Sequence, residues 1–93
     1  MRIVYTATAL ADLEDVYAYQ RAYWPTFGGK FEARLSAVER RLLGHPRSGP
    51  EVSERPGVRV ISMIDLPYRV FYAIAEADIV ILHIRHVARR PWV

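Results

Sequence analysis

The chain reads LPYRVFYAIAEADIVILHI from Leu66 to Ile84, and this stretch decides the fold. From Tyr68 to Ile74, aromatic and branched side chains alternate in a way that predicts a strand with two different faces. A tight connection, Glu76-Ala77-Asp78, follows. The run from Ile79 to Ile84 is almost entirely apolar and β-branched. Such a run is typical of a strand covered on both sides, so we expect it near the centre of the sheet.

Another strand is predicted before this stretch, from Val58 to Ile64. Only the short turn Asp65-Leu66-Pro67 separates it from the next strand, which favours an antiparallel meander of three strands. Residues 46–57 are rich in proline and glycine and predict an ordered loop. A further short β-prone run, from Ile3 to Tyr5, opens the chain.

Two helices are predicted between the opening strand and the loop. The first is expected to be N-capped by Thr8 and to end at Tyr23-Trp24-Pro25, because the residue before proline is pushed out of the helical region. Its apolar face is Leu10, Leu13, Val16 and Tyr17. The second is expected to run from about Thr26 to Gly44, and its stripe is Phe27, Phe31, Leu35, Val38 and Leu42. The sequence therefore predicts one α+β domain over residues 1–93, in the order β-α-α-β-β-β, with an antiparallel sheet packed on an αα-hairpin.

Composition excludes several kinds of protein. The chain has 93 residues and no cysteine, which excludes a disulfide-stapled scaffold, a thiol nucleophile and a zinc ribbon. Thirteen basic residues, of which twelve are arginine, stand against ten acidic ones, for a net charge of +3. This balance leaves open an acidic protein partner, a nucleic acid, or merely a basic surface. No segment approaches a membrane span or a signal peptide, so we expect a cytoplasmic protein with no membrane contact.

The candidate functional residues lie mainly near the end of the chain. From His83 to Trp92 the sequence holds three arginines, two histidines and a tryptophan but no acidic residue. This stretch predicts either an anion-facing surface or a solvated basic end with the tryptophan packed on the core. Arg69, in the middle of a strand, is either a functional group or half of an ion pair with Asp65 or Glu51.

Other polar clusters carry weaker signals. His83 and His86 are three apart on a strand and so point to opposite faces, which argues against a shared metal site, and no metal or cofactor is expected. Nor does the sequence offer either histidine an orienting partner at a telling spacing. Asp12, Glu14 and Asp15 are interpreted as a solvated acidic helix face.

The ordered set of motifs resembles the RelE/ParE superfamily of small bacterial toxins, and within it the ParE branch. The resemblance covers essentially the whole chain. The motifs that carry it are Leu43-Gly44-His45-Pro46-Arg47-Ser48-Gly49, Leu66-Pro67-Tyr68-Arg69-Val70-Phe71-Tyr72, and Ile79 to Arg89 with its His86-Val87-Ala88-Arg89 end. It implies the β-α-α-β-β-β toxin fold and a type II toxin–antitoxin module.

The resemblance also implies partners. A ParD-like antitoxin would place its C-terminal segment in a groove lined by the helix pair and the sheet. The residues expected to contact it are Leu13, Val16, Tyr17, Phe31, Leu35 and Phe71. ParE-type toxins are described as inhibiting DNA gyrase, so gyrase is the expected target, without sequence-specific DNA binding by this chain. The residues expected to face the target or an anion are Arg59, Arg69, Arg85, His86, Arg89, Arg90 and Trp92.

RelE-type toxins instead cleave mRNA in the ribosome, and this chain departs from their pattern. Arg69 matches the arginine of the Tyr-Arg strand motif, and Arg89 falls about where RelE has its C-terminal catalytic arginine. The two lysines of the preceding strand are missing, since the stretch from Arg59 to Ile64 offers only Arg59, and the late tyrosine has no counterpart. We therefore expect a toxin that works by binding, with no catalytic centre of its own. A RelE-like endonuclease, or a degenerate member that only binds its antitoxin, remains the alternative.

Overall fold

The computed structural model describes residues 1–25 and 29–88, and these contain two helices and four strands. Their order is β-α-α-β-β-β, as the sequence predicts. The elements are β1 (Arg2–Tyr5), α1 (Ala7–Tyr23), α2 (Lys30–Gly44), β2 (Val58–Ser62), β3 (Tyr68–Ala75) and β4 (Asp78–His86). Among the sequence predictions, those on Thr26, Phe27, Arg89, Arg90 and Trp92 lie outside the described residues.

The first helix begins two residues earlier than predicted. Thr6, not Thr8, is the N-cap: its backbone is extended, and its Oγ1 accepts a hydrogen bond from the Ala9 amide at 3.0 Å. The same hydroxyl donates to the carbonyl oxygen of Leu82 at 3.2 Å, so one side chain both starts the helix and fastens it to β4. Thr8 lies inside the first turn, where its hydroxyl cannot serve as the cap.

The buried face of α1 differs at one position from the prediction. Ala9 and Val16 are buried, and Leu13 and Tyr17 pack partly buried against the core. Leu10 is 51% exposed, because a helix that begins at Ala7 buries Ala9 in the first turn instead. The helix ends at Tyr23, with Trp24 as its C-cap just before Pro25, as the sequence predicts.

The second helix carries the most regular apolar stripe, and the structure confirms it. Phe31, Leu35, Val38 and Leu42 are all buried. The ring of Phe31 makes edge-to-face contacts with Tyr17 at 5.6 Å and with Tyr68 at 5.5 Å between centroids, so it joins α1 to β3. The helix is preceded by Gly29, whose φ of +87° is a conformation that side-chain-bearing residues rarely adopt.

The sheet has the strand order β1-β4-β3-β2. The strands β2, β3 and β4 form the predicted antiparallel meander, and β4 lies between β3 and β1 as its apolar run indicates. Unlike the other pairs, β1 and β4 are parallel, so the sheet is mixed rather than wholly antiparallel. Both helices, β2 and β3 lie between these two strands in the chain and give the long connection that a parallel pair needs.

One irregularity in β4 shapes its far end. The register with β3 shifts between Phe71 and Tyr72: Tyr72 is opposite Ile81 and Phe71 is opposite His83, which leaves Leu82 as an extra residue. The strand β4 continues for five residues, from Leu82 to His86, beyond the point where β1 ends. The edge of β4 facing α1 is therefore covered by side chains of the helix instead of a strand.

A partly buried hydrogen bond joins β1 to α2. The Tyr5 hydroxyl donates to Glu39 Oε2 of α2 at 2.7 Å. Burial first, and this hydrogen bond second, raise the pKa of the Tyr5 hydroxyl well above its ordinary value. The same contact fixes the start of the chain against α2.

Candidate functional site

The sheet has one face packed on the helices and one that the helices leave free. Val70 and Tyr72 of β3 belong to the core, whereas Phe71, between them, is buried but not part of the core cluster. Because successive strand residues point to opposite sides, Arg69 and Phe71 lie on the helix-free face. The register places Arg85 of β4 directly opposite Arg69, and His83 directly opposite Phe71.

Two arginines directly opposite each other are the most distinctive feature of this face. Because their positions are directly opposite, a single anion that reaches both guanidinium groups can accept hydrogen bonds from both. Arg69 is exposed. Its two predicted ion-pair partners are engaged elsewhere, Asp65 with Arg34 at 2.9 Å and Glu51 with Arg59 at 3.5 Å. The geometry can therefore bind a carboxylate or a phosphate group.

Arg59 does not join this pair, contrary to the grouping predicted from the sequence. It is opposite Tyr72 in the register and so points to the other side of the sheet. Its Nη1 donates to the carbonyl oxygens of Gly49 at 2.8 Å and Arg47 at 3.1 Å, while Nη2 pairs with Glu51. Arg59 holds the loop that follows α2, and its charge is occupied there.

His86 is also separated from the two arginines. It lies three residues beyond His83 and so on the helix-packed side, as the alternation predicts. Its ring packs edge-to-face on Tyr68, at 5.4 Å between centroids, and its Nδ1 accepts a hydrogen bond from the Ala88 amide. Arg89, Arg90 and Trp92 come after the described residues, and their role in target binding stays a prediction.

Asp12 contacts strand β4, which the residues around it in the sequence do not predict. Its Oδ2 accepts a hydrogen bond from the Ile84 amide at 2.9 Å and lies 3.1 Å from Nδ1 of His83. Both side chains are largely buried, with 17% of His83 and 18% of Asp12 exposed. The interpretation of Asp12 as a solvated residue was wrong, because α1 crosses the edge of β4 where no strand covers it. A separation of 71 residues gave no local signal for this pair.

The residues predicted to contact an antitoxin are mostly interior. Phe31 is fully buried, Leu35 and Val16 are 8% and 6% exposed, and Leu13 and Tyr17 pack partly buried around them. Phe71 is 7% exposed and lies on the opposite side of the sheet. These side chains shape the surface but leave little of themselves for a partner to touch.

Within residues 1–25 and 29–88, no three histidine, aspartate or glutamate side chains come together in a way that could hold a metal ion. Within the same residues, neither helix is long and apolar enough to cross a membrane.

The comparison with known families matches this architecture from end to end. A family model described as the ParE toxin of the type II toxin–antitoxin system parDE matches residues 3–91. The chain belongs to the ParE toxin family. This confirms the predicted resemblance to the RelE/ParE superfamily and its ParE branch.

Individual ParE-family relatives agree with the family match. The protein Y4kP of Sinorhizobium fredii (strain NBRC 101917 / NGR234), which is named as a toxin, is 32% identical over 98% of this chain and 92% of its own length. A solved structure of the chromosomal ParDE TA system from P. aeruginosa superposes with a TM-score of 0.78 and 26% identity, covering 94% of this chain and 96% of that one. The chain is thus a ParE-type toxin of a type II toxin–antitoxin system, with the fold predicted from its sequence.

Proposed function

We propose that this ParE-type toxin inhibits DNA gyrase by binding, through the helix-free sheet face, and that a ParD-type antitoxin neutralises it. The observation that carries the proposal is the direct opposition of Arg69 and Arg85 on that face. Two arginines at directly opposite positions on one sheet face concentrate positive charge there, which suits an anionic group of a target. Family membership and the structural match to a ParDE system support the antitoxin partner.

Binding rather than chemistry accounts best for the residues present. The two arginines supply positive charge and bidentate hydrogen bonds, which suit carboxylate or phosphate recognition on a larger partner. The lysines of the RelE pattern have no counterpart on β2, where Arg59 points away and is held by the loop. A surface that acts by binding alone does not need additional catalytic side chains.

A supercoiling assay with purified gyrase tests the target. Micromolar wild-type toxin is expected to block supercoiling. Charge reversal at either arginine, Arg69→Glu or Arg85→Glu, should raise the inhibitory concentration by about tenfold or more, because a close charge pair turns from attraction to repulsion. Arg40→Glu on the exposed side of α2 is the matched control and should stay within about twofold of wild type. Full supercoiling at saturating wild-type toxin contradicts gyrase as the target.

A growth assay tests the antitoxin and the activity of the toxin. Expression of this chain alone should stop growth, and co-expression of the antitoxin encoded beside it should restore growth. Undiminished growth on expression of soluble, folded toxin identifies a degenerate family member instead. Growth arrest that the neighbouring gene product cannot relieve contradicts the antitoxin part of the proposal.

One observation favours a second candidate, a ribosome-dependent mRNA endonuclease. The structure provides His83 with the carboxylate of Asp12 at its Nδ1, on the strand that carries Arg85. A histidine oriented by a carboxylate beside a cationic group is suited to general acid–base work on a phosphodiester. Primer extension on a translated message distinguishes the two functions. Cleavage inside codons that His83→Gln abolishes supports the endonuclease, and its absence with wild-type toxin removes this candidate.

A further inference from the structure

A cavity of about 320 Å³ opens between α1 and the end of β4, on the side of the molecule opposite the arginine pair. Asp12, Asp15 and Tyr19 of α1 form one wall, and Tyr68 and His86 of the sheet form the other. The three helix residues are spaced by three and four and so share a helical face. The cavity is several times the ~30 Å³ that a water molecule takes up in the liquid, which leaves room for a long side chain.

The charge of this cavity is opposite to that of the chain. The protein carries a net +3, yet the side chains of formal charge on the helical wall are both carboxylates. Asp12 is fixed in place, since its Oδ2 is held by the Ile84 amide and the His83 ring. Asp15 is exposed at the same wall, one turn further along α1. One fixed and one exposed carboxylate on the same wall attract a cation and repel a phosphate or a carboxylate.

Aromatic rings complete a surface that suits a cationic side chain. Tyr68 and His86 form the opposite wall with their rings packed edge to face. Tyr19, at the rim, is 53% exposed. The face of a tyrosine ring attracts an ammonium or guanidinium group, and carboxylates nearby strengthen this preference.

The surface next to the cavity is apolar and exposed. Tyr23 and Trp24, at the end of α1, are 70% and 51% exposed, and the ring of Tyr23 lies 4.8 Å from that of Tyr19. A second cavity, of about 230 Å³, lies between Trp24 and the same Tyr19, Tyr68 and His86. Contiguous exposed aromatic surface beside a lined cavity is typical of a protein-binding site rather than of a small-molecule site.

We infer that this cavity receives a lysine or arginine side chain of the antitoxin, whose chain runs over the adjacent aromatic surface. The inference rests on the proposed function for the identity of the partner. A segment that crosses this wall complements its charge with one positive residue opposite Asp12 and Asp15. An acidic residue at that position is repelled, so the cavity fixes the register of the segment and discriminates among antitoxins.

Calorimetric titration of the full-length antitoxin into full-length toxin variants tests the inference. Asp15→Lys should raise the Kd by about tenfold to a hundredfold, since an attraction becomes a repulsion in a partly enclosed site. Glu14→Lys makes the same charge change on the adjacent, exposed helical position outside the cavity, and should change the Kd by no more than about threefold. Asp15 makes no hydrogen bond on which the fold depends among those described for α1, so both variants should fold; circular dichroism verifies this.

Charge exchange identifies the partner's residue. Each lysine and arginine of the antitoxin is changed in turn to glutamate and titrated against wild-type toxin and Asp15→Lys. One antitoxin variant is expected to bind Asp15→Lys more tightly than wild-type toxin. If none does, the cavity does not receive a basic side chain and the inference is wrong.

The remaining outcomes separate the inference from the proposed function. Equal Kd values for Asp15→Lys and Glu14→Lys overturn the inference while leaving the antitoxin partner in place. No binding of the antitoxin to wild-type toxin overturns both. The two arginines that follow Ala88 in this chain are another possible occupant. Loss of the Asp15→Lys effect in the Arg89→Ala/Arg90→Ala background would assign the cavity to them, against the inference.

Discussion

Tyr72 of β3 holds the loop between α2 and β2 against the sheet. It is fully buried, and its hydroxyl donates to the Pro46 carbonyl at 2.7 Å and accepts from the Gly49 amide at 3.0 Å. The loop comes so close that a Cβ atom at position 49 would lie 2.6 Å from the Val60 carbonyl oxygen. Glycine is required there by space, and its place in the predicted loop gave no indication of this.

Gly49→Ala is therefore expected to destabilise the fold by about 1–3 kcal/mol, because backbone and a buried ring must move to admit the methyl group. Gly44→Ala is the control, since a Cβ at position 44 meets nothing within 4 Å. Alanine at the helix end should leave stability unchanged or raise it by up to about 1 kcal/mol. Urea unfolding measures both, and equal midpoints for the two variants would contradict the close approach.

Because of Tyr5, we expect the free energy of unfolding to depend on pH in the alkaline range. Its pKa in the folded chain is raised, so the unfolded chain gives up this proton first as the pH rises. The stabilisation from Tyr5 is complete below its ordinary pKa of about 10 and is lost as the pH rises from there towards the folded value. The unfolding free energy should fall as the pH rises above about 10, and Tyr5→Phe should make that fall shallower. Tyr19→Phe, which removes an exposed hydroxyl, should leave the fall in place.

At the scale of the element, the N-cap of α1 makes hydrogen bonds to both the helix and strand β4. Thr6 Oγ1 accepts from the Ala9 amide and donates to the Leu82 carbonyl, next to the bulge in β4. Leu82 is the extra residue of that bulge, and its carbonyl oxygen accepts the hydrogen bond of this hydroxyl at 3.2 Å. The Thr6 hydroxyl oxygen thus satisfies one backbone group at the start of α1 and another at the bulge of β4.

Thr6→Ala should destabilise the protein by about 1–2 kcal/mol, since it removes the cap and leaves a carbonyl unsatisfied. Thr8→Ala, two residues on, should be neutral or slightly stabilising, because alanine is the better helix former inside a first turn. Thermal unfolding of the two variants checks the difference. A larger loss at Thr8 than at Thr6 would mean that the helix begins where the sequence had predicted.

The elements that could be predicted from sequence are those whose signal is periodic and local. The stripe from Phe31 to Leu42 and the apolar run from Ile79 to Ile84 gave α2 and the position of β4 correctly. The bulge at Leu82 and the parallel pairing of β1 depend on which distant segments meet, and neither leaves a pattern in nearby residues. The contact between Asp12 and His83 could not be predicted for the same reason. The sequence prediction also grouped Arg59 with Arg69 and Arg85 wrongly, because the face on which a strand residue lies depends on the register.

At the scale of the whole molecule, Asp12 fastens the helical layer to the sheet beyond the end of β1. Asp12→Ala leaves the Ile84 amide without its acceptor and removes the partner of His83. A loss of about 1–3 kcal/mol is expected from the buried amide alone. Asp15→Ala, one turn away and exposed, should change stability by no more than about 0.5 kcal/mol. Chemical denaturation of both variants measures the contrast, and equal losses would contradict the role assigned to Asp12.

The parallel pairing of β1 with β4 also means that the sheet can be completed only late in synthesis. Arg2 is opposite Asp78, and their side chains meet at 3.0 Å across a separation of 76 residues. During synthesis, β1 leaves the ribosome long before the strand that pairs with it, and the sheet lacks its central member until β4 has been made. The arginine pair requires β4 as well, because Arg85 belongs to it. On the proposed function, a growing polypeptide cannot display the target-binding surface before β4 is made, and a truncated product that lacks β4 should not inhibit growth.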